Sequence, residues 1–129
     1  GGSTFAILYH VAGLMGNLLH FLLDPSSLTI VVGASGAVFG IIAAFAVLFP
    51  LRPIFALFFL PLLLPVALLA ILYFLIEIIY ELSGLNPYVA HWAHIGGLLA
   101  GFAFALVYKA VSRHSRQRGK EVKIVWVEG

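Results

Sequence analysis

Apolar residues run almost without interruption along this chain, and the few polar clusters that break the run divide it into four stretches. The first, residues 4–23, stops at the turn-forming cluster Asp24-Pro25-Ser26-Ser27. The second, residues 36–49, ends before Pro50-Leu51-Arg52-Pro53. The third covers residues 54–82, with Pro61 and Pro65 marking a kink or an interfacial lead-in, and closes at Ser83-Gly84-Leu85-Asn86-Pro87. The fourth, residues 88–108, passes directly into a basic tail.

Length separates the second stretch from the other three. A helix needs about 20 residues to cross a hydrocarbon core of about 30 Å. Residues 36–49 as a helix would reach only about 21 Å at 1.5 Å per residue, so residues 28–34 are expected to cover the remaining depth as a re-entrant extended segment. Backbone without partners cannot face lipid, so that segment must be buried in protein or line a wet cavity. The turn at residues 33–36 would then form the floor of that cavity. The expected fold is all-α, a polytopic transmembrane helical bundle with four membrane helices, the short one behind the re-entrant segment.

Composition and charge strengthen this picture. Of 129 residues, 63% are hydrophobic and 9% charged, far from the balance of a soluble domain. The lipid bilayer is the expected partner of most of the surface. Four crossings put all seven Lys and Arg residues on one side, and leave Asp24 and Glu81 on the other. The positive-inside rule makes the basic side cytoplasmic, with residues 33–36 opening to the opposite side. Residues 1–110 read as the membrane domain and 111–129 as a basic cytoplasmic tail, flexible at its end, in a prokaryotic cell membrane. Arg113, Arg116, Arg118 and Lys120 are expected to meet anionic lipid. No nucleic-acid motif accompanies these charges. The absence of cysteine excludes disulfides, thiolate metal sites and a Cys nucleophile. With no initiating Met and no basic leader before the first apolar run, the chain reads as a fragment without a signal peptide.

Two short motifs carry candidate chemistry. In Gly33-Ala34-Ser35-Gly36, the serine stands at an extended-to-helix junction, its hydroxyl exposed and its amide outside the helical ladder, ready to donate to a developing oxyanion. Small residues at such spacing also serve simply to let membrane helices approach, as Gly36 and Gly40 would. In Ala93-His94-Ile95-Gly96-Gly97, a histidine stands inside an apolar span, where an ionisable group is costly. Residues 94, 97 and 101 share a helix face, so His94 lies at one end of a groove made by Gly97 and Gly101. Gly36 and Gly40 offer a matching surface, which would bring Ser35 and His94 together at one end. A neutral imidazole can take the serine proton and later protonate a leaving amine. No membrane aspartate completes a triad, so a Ser–His dyad is the version expected. Phe39, one turn after Ser35, either packs on the imidazole or faces lipid or core.

These motifs resemble those of the rhomboid intramembrane serine proteases. Gly-Ala-Ser-Gly-Ala-Val-Phe-Gly is similar to the nucleophile motif of the fourth core helix, and Ala-His-Ile-Gly-Gly-Leu-Leu-Ala-Gly to the general-base motif of the sixth. Residues 7–14 resemble the third core helix. The resemblance implies Ser35 as nucleophile, His94 as general base and Phe39 as the aromatic packed on it, with no cofactor. It implies an endopeptidase acting on transmembrane protein substrates near helix-destabilising, small-residue sites. The family's second core helix supplies a His and an Asn to the oxyanion region, so further donors are expected upstream of this chain. As a fragment it would be inactive alone, and Asn17 and His20 do not replace those donors. The alternative is a catalytically inactive relative that binds transmembrane clients.

The other polar residues receive blander readings. His91 is expected in an interfacial aromatic belt with Trp92 and Tyr88. Glu77 either bonds within the bundle or lines a substrate entrance. A metal site among His10, His20, His91 and His94 is set aside because no carboxylate obviously converges on them.

Overall fold

The computed structural model describes residues 1–31, 33–57 and 61–128, the side chains of 57 and 122–128 excepted. Along the chain come α1 (Gly2–Leu23), α2 (Gly33–Leu48), β1 (Pro53–Leu57), β2 (Pro61–Pro65), α3 (Val66–Ser83) and α4 (His91–Glu128). Three helices, α1, α3 and α4, are long and apolar enough to cross a membrane. The shorter α2 is apolar as well, and its 16 residues span about 24 Å.

Local chemistry sets most boundaries. Asp24 precedes Pro25, whose ring disfavours helical backbone at the residue before it. Asp24 caps α1 with φ −138°, its amide bonded to the His20 carbonyl. Pro65 ends β2 and leads into α3, while Gly84, left-handed at φ 66°, terminates that helix. Pro87 stands between α3 and α4, and α4 resumes at His91.

Three boundaries differ from those the sequence suggested. Helix α2 starts at Gly33, so residues 33–36 form its first turn instead of a turn ahead of it. The non-helical segment is correspondingly shorter, and Leu28 and Ile30 are almost fully exposed along an open cleft shared with Pro87 and Tyr88. Residues 53–65 do not begin a long third helix. β1 and β2 pair antiparallel, from Pro53 opposite Pro65 to Leu57 opposite Pro61. A two-stranded ribbon has open edges, which hydrocarbon does not tolerate, so it belongs at the interface on the Arg52 side. The central residues of that stretch, 58–60, lie outside the described residues. The basic tail is helical, since α4 continues to Glu128. Its Arg, Lys, Gln and Glu residues are good helix formers.

The seam of α1, α2 and α4 is rich in small residues, with Leu8, Ile95 and Leu98 buried beside them. Ala12, Ala37, Ala44, Ala93 and Ala105 are buried where α1, α2 and α4 meet, with α3 leaning on the α2–α4 pair. Large apolar side chains turn outward, Leu14 at 68% exposure and Phe21 at 65%. This inverts the order of a soluble protein and suits a lipid surround. Between helices, lipid supplies no hydrophobic driving force, so cohesion comes from close backbone packing. Glycine makes that possible here. A methyl group on Gly97 would collide with the Gly36 carbonyl, and one on Gly101 with that of Gly40. One on Gly40 would strike the Ala12 side chain.

Candidate active site

The α2–α4 contact fixes the site. Ser35 lies in the first turn of α2 and His94 in the first turn of α4. Below them Gly36 meets Gly97 and Gly40 meets Gly101, which sets the spacing of the two helices. Ahead of them, the Thr29 hydroxyl donates to the Pro87 carbonyl at 3.2 Å and ties together the segments leading into both helices. Within this frame His94 Nε2 stands 3.1 Å from Ser35 Oγ. Both residues are half-buried.

The imidazole is held on its face and on its far edge. The Phe39 ring stacks on it with centroids 4.3 Å apart and planes inclined by 21°. Tyr73 of α3 braces Phe39 edge-on at 5.1 Å. Of the two placements open to Phe39, contact with His94 is the one found. The amide of Ser35 lies in the first turn of α2, close to the N-terminal end of the helix.

Behind His94 lies a carboxylate whose role the sequence alone leaves open. Glu77 of α3 is 7% exposed, and its Oε1 is 3.1 Å from His94 Nδ1. The two atoms are close but off the hydrogen-bond line, so Nδ1 is a buried nitrogen without a hydrogen-bond partner. Glu77 Oε2 is 2.5 Å from His91 Nδ1. The other nitrogen of His91 donates to the Asn86 carbonyl at 3.2 Å, and its ring stacks on Tyr80. A carbonyl only accepts, so Nε2 of His91 carries a proton. The Glu77–His91 contact then shares a second proton between carboxylate and imidazole.

Two expectations are thereby corrected. His91 is not an interfacial belt residue: it is 4% exposed and turned onto Glu77. A carboxylate does converge on the histidines, since Glu77 reaches both His91 and His94. Neither relation was visible in sequence, because Glu77 comes from a different helix and only packing brings it to α4. Tyr73 and Tyr80 were missed for the same reason.

The remaining candidates lie apart from the pair or only border it. His10 bonds its own helix at the Ala6 carbonyl. His20 is buried, with Nδ1 lacking a partner, and lines a cavity of about 140 Å³ with Asp24, Glu81 and His91. Asn17 packs on the start of α2, its Nδ2 in the space a Gly33 side chain would need.

A helical membrane bundle whose short helix presents a serine to a histidine on its neighbour defines a class: a multi-pass integral membrane protein with a paired, half-buried Ser and His between helices. The chain belongs to the rhomboid family, for the sequence model of the Rhomboid domain matches residues 1–111. It is 35% identical over 108 residues to the Arabidopsis thaliana RHOMBOID-like protein 6, mitochondrial, covering 83% of this chain and 32% of that protein. It is 34% identical over 109 residues to RHOMBOID-like protein 1 of the same plant, covering 84% of this chain and 25% of that one. The chain thus spans about a third or less of the length of these relatives. No solved structure matches it.

Proposed function

We propose that this protein is an intramembrane serine endopeptidase acting on transmembrane protein substrates, with Ser35 as nucleophile and His94 as general base. The observation that carries the reading is the 3.1 Å separation of Ser35 Oγ and His94 Nε2, held by glycine-mediated contact of two membrane helices. For Nε2 to accept the serine proton, the proton of neutral His94 must sit on Nδ1, facing Glu77. Ser35 attacks the scissile carbonyl as its proton passes to Nε2. The resulting imidazolium then protonates the leaving amine, and water repeats the cycle to free the acyl group. Glu77 lies beside the nitrogen on which that positive charge is shared, so it acts as a positioning and charge-balancing residue. Phe39 keeps the ring in plane for transfer. The amide of Ser35 is one donor to the oxyanion, and further donors are a feature of the family that this reading takes to lie in the full-length protein.

Substrate and topology follow from the same reading. On this reading the substrate is a transmembrane segment that unwinds near small, helix-destabilising residues, as the family resemblance implies. The basic tail lies in the cytoplasm, and Ser35 is reached from the opposite side. The prokaryotic cell membrane expected from the sequence draws no support from relatives that are plant proteins. A fluorophosphonate probe applied to the full-length protein tests the activity. Wild type is expected to be labelled and S35A to remain unlabelled. Labelling that persists in S35A, or that wild type lacks in a folded preparation, would leave the client-binding alternative.

A further inference from the structure

Three metal-ligating side chains converge on the far side of His94 from Ser35. Glu77, His91 and His94 each offer one ligand atom, and these atoms all lie within 4.8 Å of one another. Glu77 and His91 are buried, and the His94 Nδ1 within the group makes only the 3.1 Å off-line contact to Glu77 Oε1. Two imidazoles and a carboxylate form a donor set suited to zinc, with the fourth position left open. The histidines are three residues apart on one helix, which presents them together.

A second observation points to a cation. The cavity of about 140 Å³ beside the cluster is bordered by His91 itself, by the carboxylate residues Asp24 and Glu81, and by His20. No lysine or arginine is among the described residues that line it. His20 is 7% exposed and its Nδ1 is also without a hydrogen-bond partner. A low-dielectric recess with two carboxylates on its wall concentrates cations, and here it borders a ligand of the cluster.

We infer that Glu77, His91 and His94 form a binding site for a zinc-class divalent cation, and that its occupation switches off Ser35. The inference rests on the reading of His94 as general base. A metal on Nδ1 leaves the ring proton on Nε2, the nitrogen that faces Ser35 Oγ at 3.1 Å. Nε2 then has no lone pair to take the serine proton. The ion also draws Glu77 into its coordination, away from balancing charge on His94.

The test uses full-length protein in lipid nanodiscs, stripped with a chelator. Cobalt titration is followed by the visible absorption of the tetrahedral ion, and zinc retention by equilibrium dialysis. Wild type and S35A are expected to bind one equivalent alike, while H91N and E77Q bind at least about 10-fold more weakly. Zinc is expected to slow fluorophosphonate labelling of wild type by more than about 10-fold, with recovery on chelation, each variant being compared with its own chelated rate. Two ligand variants are used so that misfolding of one leaves the other to decide. The site is refuted if wild type retains no metal, or if both folded ligand variants bind as tightly as wild type. Undiminished labelling with metal bound overturns the switch alone. Metal binding with no labelling under any condition overturns the protease reading, and the switch with it, while the site stands.

Discussion

Gly97 rests directly on the backbone of Gly36, so closely that a single methyl group at position 97 would overlap the Gly36 carbonyl. Gly101 repeats the relation with Gly40 one turn further along. Backbone atoms cannot swing aside as a long side chain can, so G97A or G101A must separate the helices. The expected cost exceeds the usual ~1–3 kcal/mol of overpacking. Separation would also pull His94 from Ser35. Gly119 is the internal control, since it is helical with open space around its Cβ position. G119A should gain up to about 1 kcal/mol of helix propensity. Thermal unfolding in detergent micelles checks all three, and an unchanged melting temperature in G97A would contradict the packing account.

That contact explains what sequence could and could not reveal. Residues 36, 40, 97 and 101 are spaced at helical intervals, and a glycine row on each of two helices is a local pattern that forecasts their approach. Ser35 and His94 sit at the ends of those rows, so their meeting was legible too. Glu77 was not. It lies within an apolar helix with no neighbouring motif, and its relation to His94 depends on how α3 leans on the other two helices. The strand pair Pro53–Leu57 and Pro61–Pro65 is hidden differently: its prolines and apolar residues read equally well as the start of a kinked span. At the end of the tail, residues 121–129 carry a short β-like alternation that suggests a flexible end, whereas α4 continues to Glu128.

Phe39 should matter to rate more than to fold. Its ring stacks on His94 at 4.3 Å and is braced by Tyr73. Aromatic contacts of this kind contribute about 0.5–1.5 kcal/mol beyond area burial, which corresponds to roughly a 2- to 10-fold effect on turnover. F39A is therefore expected to lower kcat by about that factor with little change in KM, and F39Y to keep most activity. Steady-state kinetics on a transmembrane substrate decide it. A large rise in KM at constant kcat would instead make Phe39 a substrate contact.

The membrane topology can be read chemically, because this chain contains no cysteine. Single cysteines are introduced at Ser26, ahead of α2, and at Ser115 in the basic part of α4, in an otherwise cysteine-free full-length protein. A membrane-impermeant maleimide added to intact cells or spheroplasts should label S26C and spare S115C until the membrane is opened. The opposite pattern would place the basic tail outside, against the positive-inside rule. Labelling of both from one side would contradict the passage of α2 through the membrane.

Glu77 gives the sharpest separation between fold and chemistry. Its two oxygens face His91 at 2.5 Å and His94 at 3.1 Å. E77A removes the partner of a buried imidazole and is expected to cost about 3–5 kcal/mol of stability, as broken buried pairs do. E77Q keeps the shape and loses the charge, so it should fold while losing charge balance on His94. In the serine protease template the equivalent acid-to-amide change lowers kcat about 10⁴-fold. Here the Glu77–His94 contact is off the hydrogen-bond line, so a smaller loss follows, about 10- to 100-fold in kcat with KM held. A residue serving structure alone would lower the melting temperature and leave kcat of the folded fraction intact. Unchanged kcat in folded E77Q would thus return the site to a Ser35–His94 pair with no carboxylate behind it.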